Sequence, residues 1–381
     1  MAVDPFPNSA APLSFVTNDA ALGAGMAALA DLPDFMVLCA GLVDLTGDPV
    51  QPPYAGLADT EMLYAGSLLK ICALYAAFEL RARVRRHLAE AIDAGTATDR
   101  PGWDKPVFAA LLKEWQPALA AVMPKLPATP PNLGQVFAVT ADGDVDFTAA
   151  APALTDADID AIGEFGAPRG GYRDWLRSML RWSNNAAASR CLLGLGYPFI
   201  AGTLRGAELI DADLANGLWL SGDYLGHDWV PNAGAGAQAG AQANAAGRAL
   251  TPRWAIAQQR QRSNFTATAA QVATLMTLLA KDMLVDQAAS QEMRDLMTGA
   301  DGIGSYILGA LQGDGRDTDL VVSKIGYGDD TRSHDCAIVE RRVDGKAIRY
   351  VVVGLGSQAG NRRSLQELFV QLDQLILDRN R

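Results

Sequence analysis

Three short motifs in this sequence combine hydroxyl, amine and amide side chains that could carry out acyl transfer. They are Ser67-Leu-Leu-Lys70, Ser183-Asn-Asn185 and Lys324-Ile-Gly326. Residues three apart on a helix share a face, so the amine of Lys70 can reach the hydroxyl of Ser67. A lysine whose pKa is lowered by burial can take a proton from such a hydroxyl. The spacing therefore predicts a nucleophile, Ser67, that is activated by Lys70 rather than by a histidine.

The Ser67–Lys70 pair taken alone has a simpler interpretation. A serine at a helix start often caps the first turn, and a lysine one turn later is often exposed. The other two motifs change this balance, because the set lies at a helix start, in a helical middle and on a late strand, in that order. Together the motifs favour a catalytic site in which Ser183 relays a proton and Asn185 holds a substrate amide.

The elements that must position these residues follow from local sequence patterns. Leu68–Val84 is a run of good helix formers, and Tyr172–Leu193 is a second helical stretch, which carries Ser183. Strand patterns lie near both ends of the chain, at Phe35–Val43, Asp319–Ile325, His334–Arg342 and Ala347–Leu355. They predict an α+β fold with an antiparallel sheet that is built from both termini, flanked by helices and interrupted by an all-helical subdomain.

The same patterns predict where the domains divide. Residues 1–66 and 305–381 should form the α/β subdomain, and residues 67–304 the helical one. Within the helical subdomain, prolines punctuate an insertion at about 85–169. Residues 233–247 are built from small and polar residues, and they predict a flexible loop.

The net charge and the composition limit the kinds of molecule that the protein is expected to bind. The net charge of −11 argues against nucleic acid or an anionic membrane surface as a binding partner. No apolar run is long enough to span a bilayer, and the N-terminus lacks the pattern of a signal peptide. The sequence as written predicts a cytoplasmic protein, or a periplasmic or secreted one if a leader was removed. The 4 cysteines, mostly with apolar neighbours, are expected to be buried thiols.

With its three motifs and this layout, the chain resembles the serine β-lactamase and penicillin-binding protein superfamily, closest to the class A-like branch. The signature of that superfamily is S-x-x-K, S-x-N and K-[TS]-G. The resemblance implies that Ser67 is the nucleophile and Lys70 its base, and that Ser183 and Lys324 serve proton relay and electrostatics. It also implies that no metal or organic cofactor is needed.

The resemblance further assigns the substrate-binding residues. Asn185, Gly326 and Tyr327 are the positions implied to contact a small-molecule or short-peptide substrate. The backbone N–H groups of Ser67 and Tyr327 are the implied donors to the oxyanion that forms during acylation. The sequence makes no prediction of the oligomeric state.

The chain departs from the family pattern in ways that bear on its activity. Ile325 stands where the family has a hydroxyl that helps to hold a substrate carboxylate, and Asn184 replaces a common Asp. The class A deacylation motif, E-x-x-L-N, does not follow Ser183; the nearest acid, Glu208, lacks its Leu and Asn partners. We therefore expect acylation, but not fast hydrolysis of β-lactams.

These residues predict a serine hydrolase or acyltransferase that cleaves an amide or ester through an acyl-Ser67 intermediate and is a poor β-lactamase. One alternative is a true class A-like β-lactamase or a D-alanyl-D-alanine peptidase. An alternative of another class is a non-catalytic ligand-binding protein on the same fold.

Three other patterns are better explained by structure than by function. Gly354–Gly360 imitates a dinucleotide-binding loop, but its last glycine is one residue late, so a strand-to-helix turn is expected. Asp142–Asp146 imitates a calcium loop but fits a hairpin turn. His334-Asp335 could belong to a catalytic triad, but the chain has no G-x-S-x-G elbow for its serine.

Overall fold

The strands of the structure come largely from the two ends of the chain. The computed structural model describes residue 6 and residues 13–30, 39–95, 102–122, 129–140, 142–149, 170–210, 217–220, 265–298, 304–327, 332–358 and 362–381. The strands are β1 (Cys39–Asp44), β2 (Tyr54–Leu57), β3 (Leu63–Tyr64), β4 (Phe137–Val139), β5 (Val145–Phe147), β6 (Trp219–Leu220), β7 (Phe265–Ala267), β8 (Leu320–Tyr327), β9 (Arg332–Val343) and β10 (Lys346–Gln358).

Most of the helices lie in the middle of the chain, while one precedes β1 and another follows β10. They are α1 (Ala20–Ala30), α2 (Lys70–Asp93), α3 (Asp104–Val122), α4 (Leu133–Val136), α5 (Tyr172–Arg181), α6 (Asn185–Leu195), α7 (Tyr197–Gly206), α8 (Ala269–Ala280), α9 (Gln287–Met297), α10 (Tyr306–Gly313) and α11 (Arg362–Asn380). A short 3-10 helix, Gly66–Leu69, directly precedes α2. Among the described residues, no helix is both long and apolar enough to cross a bilayer. The predicted loop at 233–247 lies outside the described residues.

The chain divides into two compact units. One, which we call the helical unit, comprises Met1–Ser9, Lys70–Glu208 and Leu220–Thr251. The other, which we call the sheet unit, comprises Ala10–Leu69, Leu209–Trp219 and Pro252–Arg381. The chain therefore passes from the sheet unit to the helical unit between Leu69 and Lys70.

An antiparallel five-stranded sheet organises the sheet unit. Its strand order is β2-β1-β10-β9-β8. The N-terminal strand β1 lies against the C-terminal strand β10, with Leu42 opposite Val352 in the register. Both ends of the chain thus build one sheet, which confirms the α+β fold class predicted from the sequence. Strand β8, which carries Lys324, is an edge strand.

The core of the sheet unit follows from the two-residue period of the strands. Alternate side chains point to opposite faces, and those of Leu42, Ala337, Val339, Tyr350 and Val352 belong to one buried apolar cluster. Helix α11 covers this face with the residues Leu365, Phe369, Leu372 and Ile376. Helices α1 and α10 add residues to the same cluster, among them Leu22 and Ile307. The cluster thereby packs one face of the sheet against three helices.

A buried carboxylate ties α11 to the sheet. Asp373 is 0% exposed, and it accepts hydrogen bonds from Arg341 Nη1 at 2.8 Å and from the Tyr350 hydroxyl at 2.8 Å. Arg316 also pairs with this carboxylate. A buried charge is tolerated only when it is paired and hydrogen-bonded, and here two guanidinium groups and a phenol fulfil that need.

In the helical unit, polar contacts join α2 to the β4–β5 hairpin. Arg81 forms a salt bridge with Asp146 at 3.1 Å, and its guanidinium carbon lies 4.4 Å and 4.8 Å from the ring centroids of Phe78 and Phe147. The first part of α2 is buried along its whole circumference, from Lys70 to Leu80. A helix buried in this way holds the side chain of its first residue, Lys70, in a defined position.

We expect Asp373→Asn to lower the free energy of unfolding by about 3–5 kcal/mol, because it leaves the buried guanidinium group of Arg341 without its anion. Asp378→Asn is the matched control, since Asp378 is an exposed residue of the same helix with partners in Gln374 and Arg381. The control should change stability by less than about 0.5 kcal/mol. Urea denaturation of both variants measures the difference, and equal losses would contradict this role of Asp373.

Candidate active site

The helical unit brings two of the predicted site residues, Ser183 and Asn185, to the amine of a third, Lys70. Lys70 is 1% exposed. Its Nζ donates to Asn185 Oδ1 at 2.9 Å, to Ser183 Oγ at 3.1 Å and to the Ser183 carbonyl oxygen. Three acceptor oxygens thus surround the amine and replace the hydration that it loses on burial. The arrangement lets a proton pass between the amine of Lys70 and the hydroxyl of Ser183.

A tight connection between helices α5 and α6 places the Ser183 motif next to Lys70. Helix α5 ends at Arg181, and Ser183 takes a left-handed backbone conformation with φ of 51°. Residues other than glycine rarely adopt this conformation, and it often marks a functional position. Asn184 then caps α6, because its side chain accepts from the backbone N–H of Ala187 at 2.9 Å. An Asn caps a helix as well as an Asp does, which explains how Asn184 can replace the family's Asp.

The sheet unit holds the segment of Ser67 against strand β8. Ser67 lies in the 3-10 helix and is partly exposed. A Cβ added to Gly66 would lie 2.8 Å from the carbonyl oxygen of Tyr327, and one added to Gly326 would lie 2.2 Å from that of Ala65. Gly66 also has a φ of 52°, which favours glycine. The two glycines thus let the backbone next to Ser67 approach the strand that carries Lys324.

Lys324, in the sheet unit, is also a buried lysine. It is 2% exposed, and its Nζ donates to the carbonyl oxygen of Ile325 at 2.9 Å. Burial lowers the pKa of Lys324 to about 8, while the neighbouring Cys336 and Asp335 act in the opposite direction. An amine with this pKa carries a positive charge near neutral pH and can release a proton at slightly higher pH.

The end of β8 presents the predicted substrate-binding residues of the sheet unit. Tyr327, its last residue, is 53% exposed. Ile325 is partly exposed and stands opposite Asp335 in the register of β8 and β9. An aliphatic side chain offers no hydrogen bond to a substrate carboxylate at this position.

His334 and Asp335 do not form a catalytic dyad with each other. They are consecutive residues of β9, so their side chains point to opposite faces of the sheet. His334 Nδ1 accepts from the backbone N–H of Gly356 at 2.9 Å. Asp335 Oδ2 instead accepts from Ser305 Oγ at 3.0 Å and from the N–H of Ile307 at 3.1 Å. The structure therefore gives no support to a Ser-His-Asp triad at this pair.

The structure also shows where the other residues considered in the sequence analysis lie. Glu208 is an exposed turn residue with φ of 57° in the helical unit. Asp142 and Asp144 lie in the turn between β4 and β5, where Thr140 Oγ1 donates to Asp142 and Gly143 has φ of 80°, as a hairpin requires. All four cysteines are buried. Among the described residues, no group of three or more His, Cys, Asp or Glu side chains could hold a metal ion.

Two features of the site were not recognised in the sequence. One is Gly66, whose only signal is its position directly before the predicted nucleophile, Ser67. The other is the contact of Asp335 with Ser305 and Ile307, which join β9 to the start of α10. No local pattern announces this contact, because its partners are about 30 residues apart in the sequence.

Comparison with known proteins places the chain in a family. The sequence model described as "Beta-lactamase enzyme family" matches residues 166–379, which is more than half of the 381-residue chain. This match includes the Ser183 and Lys324 motifs and begins after Lys70. No curated protein sequence matches the chain significantly.

Several solved structures are similar to the chain. The class A β-lactamase of the last common ancestor of Gram-negative bacteria is 19% identical, with a TM-score of 0.47, and 95% of this chain and 100% of that one are covered. The class A β-lactamase of Mycobacterium abscessus is 14% identical, with a TM-score of 0.48 and coverages of 93% and 98%. The structure of PBP-A is 14% identical, with a TM-score of 0.47 and coverages of 96% and 97%.

An antiparallel sheet from both termini, together with helices that carry the central motif, defines a β-lactamase-like hydrolase fold. The chain belongs to the β-lactamase enzyme family, a family of serine hydrolases. The resemblance seen in the sequence, and with it the β-lactamase-like fold class, is thereby confirmed.

We expect Gly326→Ala to slow covalent labelling of the predicted nucleophile, Ser67, by about 10²-fold, because a new Cβ would push β8 away from the segment that carries Ser67. It should also cost about 1–3 kcal/mol of stability through overpacking. Gly313→Ala is the control, since a Cβ at Gly313 meets nothing within 4 Å. Mass spectrometry of the labelled protein gives the rate, and an unchanged rate in folded Gly326→Ala would contradict the close approach.

We expect Asn184→Ala to lower the free energy of unfolding by about 0.5–2 kcal/mol, because the cap of α6 is lost. Asn184→Asp keeps an oxygen that can accept from Ala187 and should retain most of the stability. Urea denaturation of the two variants compares them directly. Equal losses in both would show that Asn184 acts through something other than the cap.

Proposed function

We propose that the protein is a serine hydrolase or acyltransferase that cleaves an amide or ester through an acyl-Ser67 intermediate. The observation that carries the proposal is the buried amine of Lys70, which is hydrogen-bonded to Ser183 and Asn185 and lies three residues after a partly exposed serine. A helix-capping serine followed by an exposed lysine would show neither the burial nor these partners. Family membership supports the same class of reaction.

The proposed acylation step uses the residues of the three sequence motifs. The neutral amine of Lys70 takes the proton of the Ser67 hydroxyl as Oγ attacks the substrate carbonyl carbon. The carbonyl oxygen becomes an oxyanion that receives hydrogen bonds from the backbone N–H groups of Ser67 and Tyr327. The proton then moves from Lys70 through the Ser183 hydroxyl to the leaving nitrogen or oxygen, and the bond to the leaving group breaks. The Lys324 ammonium stabilises negative charge during this transfer.

The second half of the reaction is proposed to be slow with β-lactams. No E-x-x-L-N motif follows Ser183, and Glu208 is exposed in a turn rather than buried beside the site residues of its unit. An acyl-enzyme without a positioned base for water hydrolyses slowly. We therefore propose that the protein is a poor β-lactamase. Its natural acyl acceptor is proposed to be a water or alcohol molecule whose attack on the acyl group does not require that motif.

The proposed substrate is a small molecule or short peptide without a carboxylate next to the scissile bond. Ile325 supports this, because it offers an apolar surface where the family has a hydroxyl. Tyr327 adds a largely exposed aromatic ring to the same strand. A neutral acyl group would bury apolar area against these two residues, whereas a carboxylate there would lose hydration without gaining a hydrogen bond.

We expect an intact-mass measurement after incubation with a penicillin, and separately with an activated ester, to detect an acyl adduct on the wild-type protein but none on Ser67→Ala. Lys70→Ala should slow adduct formation by about 10²–10⁴-fold, because the general base is lost. Lys346→Ala is the control, since this lysine is exposed in the sheet unit.

Each result of this experiment has a distinct meaning. Adduct on Ser67→Ala would refute the nucleophile assignment. Rapid product release from penicillin without an adduct would favour a true class A-like β-lactamase. No adduct and no product with either probe would favour a ligand-binding protein over an enzyme.

A further inference from the structure

A β-bulge interrupts strand β10 in the sheet unit, and a buried histidine faces it. The register of β9 and β10 shifts between Gly354 and Ser357, so that Leu355 and Gly356 both face the single residue His334 of β9. Two residues opposite one define a β-bulge, and bulges are common beside active sites, where they redirect a side chain. His334 is 0% exposed. The mechanism proposed above does not use this histidine.

The imidazole of His334 supplies a hydrogen-bond acceptor to the bulge. A bulge interrupts the ladder of strand hydrogen bonds, so a buried N–H within it needs another acceptor. His334 Nδ1 accepts from the N–H of Gly356 at 2.9 Å. A ring nitrogen that accepts carries no proton, so the ring is neutral and its proton is on Nε2. The hydrogen bond thus fixes both the tautomer and the direction of the ring.

The side chain of His334 lies on the face of the sheet that meets residues 65–67, which we call the Ser67 segment. His334 stands directly opposite Gly326 in the register of β8 and β9, and opposite residues of an antiparallel pair share a face. A Cβ added to Gly326 would lie 2.2 Å from the carbonyl oxygen of Ala65. The histidine and the Ser67 segment are therefore on the same side of β8 and β9.

The ring of Tyr64 connects His334 to the Ser67 segment. The ring centroids of Tyr64 and His334 are 6.4 Å apart with an angle of 67° between the planes, which is an edge-to-face contact. A Cβ added to Gly66 would lie 3.3 Å from Cε1 of Tyr64 and 2.8 Å from the carbonyl oxygen of Tyr327. The backbone at Gly66 is thus packed against both the Tyr64 ring and the end of β8.

The two proposed oxyanion donors adjoin these contacts. The N–H of Ser67 directly follows Gly66, and the N–H of Tyr327 directly follows Gly326. Two donors stabilise an oxyanion together only when both are at hydrogen-bond distance from it, and a misplacement of about 1 Å can cost about 10²-fold in rate. The spacing of the two donors therefore depends on the groups that pack against the two glycines.

We propose that His334 is a positioning residue for the acylation of Ser67. Its ring, oriented by the N–H of Gly356, supports the ring of Tyr64, and Tyr64 in turn holds the Gly66 backbone against the end of β8. This inference rests on the proposed function for its catalytic consequence. His334 is fully buried and touches no substrate in this role.

NMR of the full-length ¹⁵N-labelled protein tests the contact itself. Near neutral pH, the His334 imidazole should be neutral with its proton on Nε2, and the Gly356 amide should exchange slowly with solvent. His334→Phe keeps a ring but removes the acceptor, so the Gly356 amide should exchange about tenfold faster. His334→Asn places an oxygen near the position of Nδ1 and should keep this amide protected.

Either of two NMR results would overturn the proposal. One is a His334 ring that carries its proton on Nδ1 in the wild-type protein. The other is a Gly356 amide that is equally protected in His334→Phe. The first measurement needs no variant, so the proposal can fail even if neither substitution gives a folded protein.

The catalytic consequence is measured as the acylation of Ser67 by p-nitrophenyl acetate, an activated ester, with Ser67→Ala as the blank. His334→Phe loses the orientation of the ring, and His334→Asn loses the ring itself. In both variants the maximal acylation rate constant should fall by about 10-fold to 10²-fold at an unchanged half-saturating concentration, because the donors act in the transition state. An unchanged maximal rate in folded variants would overturn the proposal, as would a change in the half-saturating concentration alone.

Two controls separate position from other effects of substitution. His87→Phe and His87→Asn make the same chemical changes on α2 of the helical unit and should leave the rate constant unchanged. Leu22→Ala removes buried packing from the opposite face of the sheet and lowers stability without touching His334 or Tyr64. An equal loss of rate in folded Leu22→Ala would show that stability controls the rate, and it would overturn the role of His334.

The wild-type protein separates this inference from the proposed function. No acylation of the wild type by the ester would refute the proposed function, and with it the catalytic part of this proposal. The NMR measurements would still decide whether His334 is held by Gly356. A thermal unfolding transition confirms that each variant is folded under the conditions of the assay.

Discussion

The burial of two lysine amines is the constraint on which the arrangement of this molecule depends. A charged amine cannot leave water without partners, because the loss of hydration costs several kcal/mol. In the helical unit, Lys70 finds its partners in the carbonyl and hydroxyl of Ser183 and in the amide of Asn185. The left-handed backbone of Ser183 follows from this need, because it turns both oxygens towards a single amine. In the sheet unit, the Lys324 amine donates to the carbonyl oxygen of Ile325.

The second requirement is close packing of backbone against backbone in the sheet unit. Gly66 and Gly326 leave no room for a Cβ, so the nucleophile segment and strand β8 lie nearer to each other than other residues would permit. An edge strand would bend away if it were not supported. Strand β8 is supported by β9, and β9 is joined to α11 through Asp373 and to α10 through Asp335. The position of the edge strand β8 therefore depends, through β9, on the buried carboxylates of Asp373 and Asp335.

The chain has the residues that the proposal assigns to acylation, but it lacks the family's motif for deacylation. The residues assigned to acylation are all present, and those of the helical unit are hydrogen-bonded to each other. The sequence lacks the family's motif for activating the deacylating water, and Ile325 replaces the hydroxyl that would hold a carboxylate. Under the proposed function, both differences would change the substrate and the rate at which the acyl intermediate breaks down, and would leave the acylation residues in place.

The sequence by itself determined the family, the α+β class and the identity of the candidate residues. These depend on local signals: helix formers after Ser67, two-residue alternation in β9 and β10, and motif spacing. The tertiary structure decided the rest. Strand register places His334 and Asp335 on opposite faces of the sheet, although the sequence shows them only as neighbours. The hydrogen bonds of Lys70 join residues 113 and 115 positions apart. Such contacts depend on how distant segments pack, and no local pattern encodes that packing.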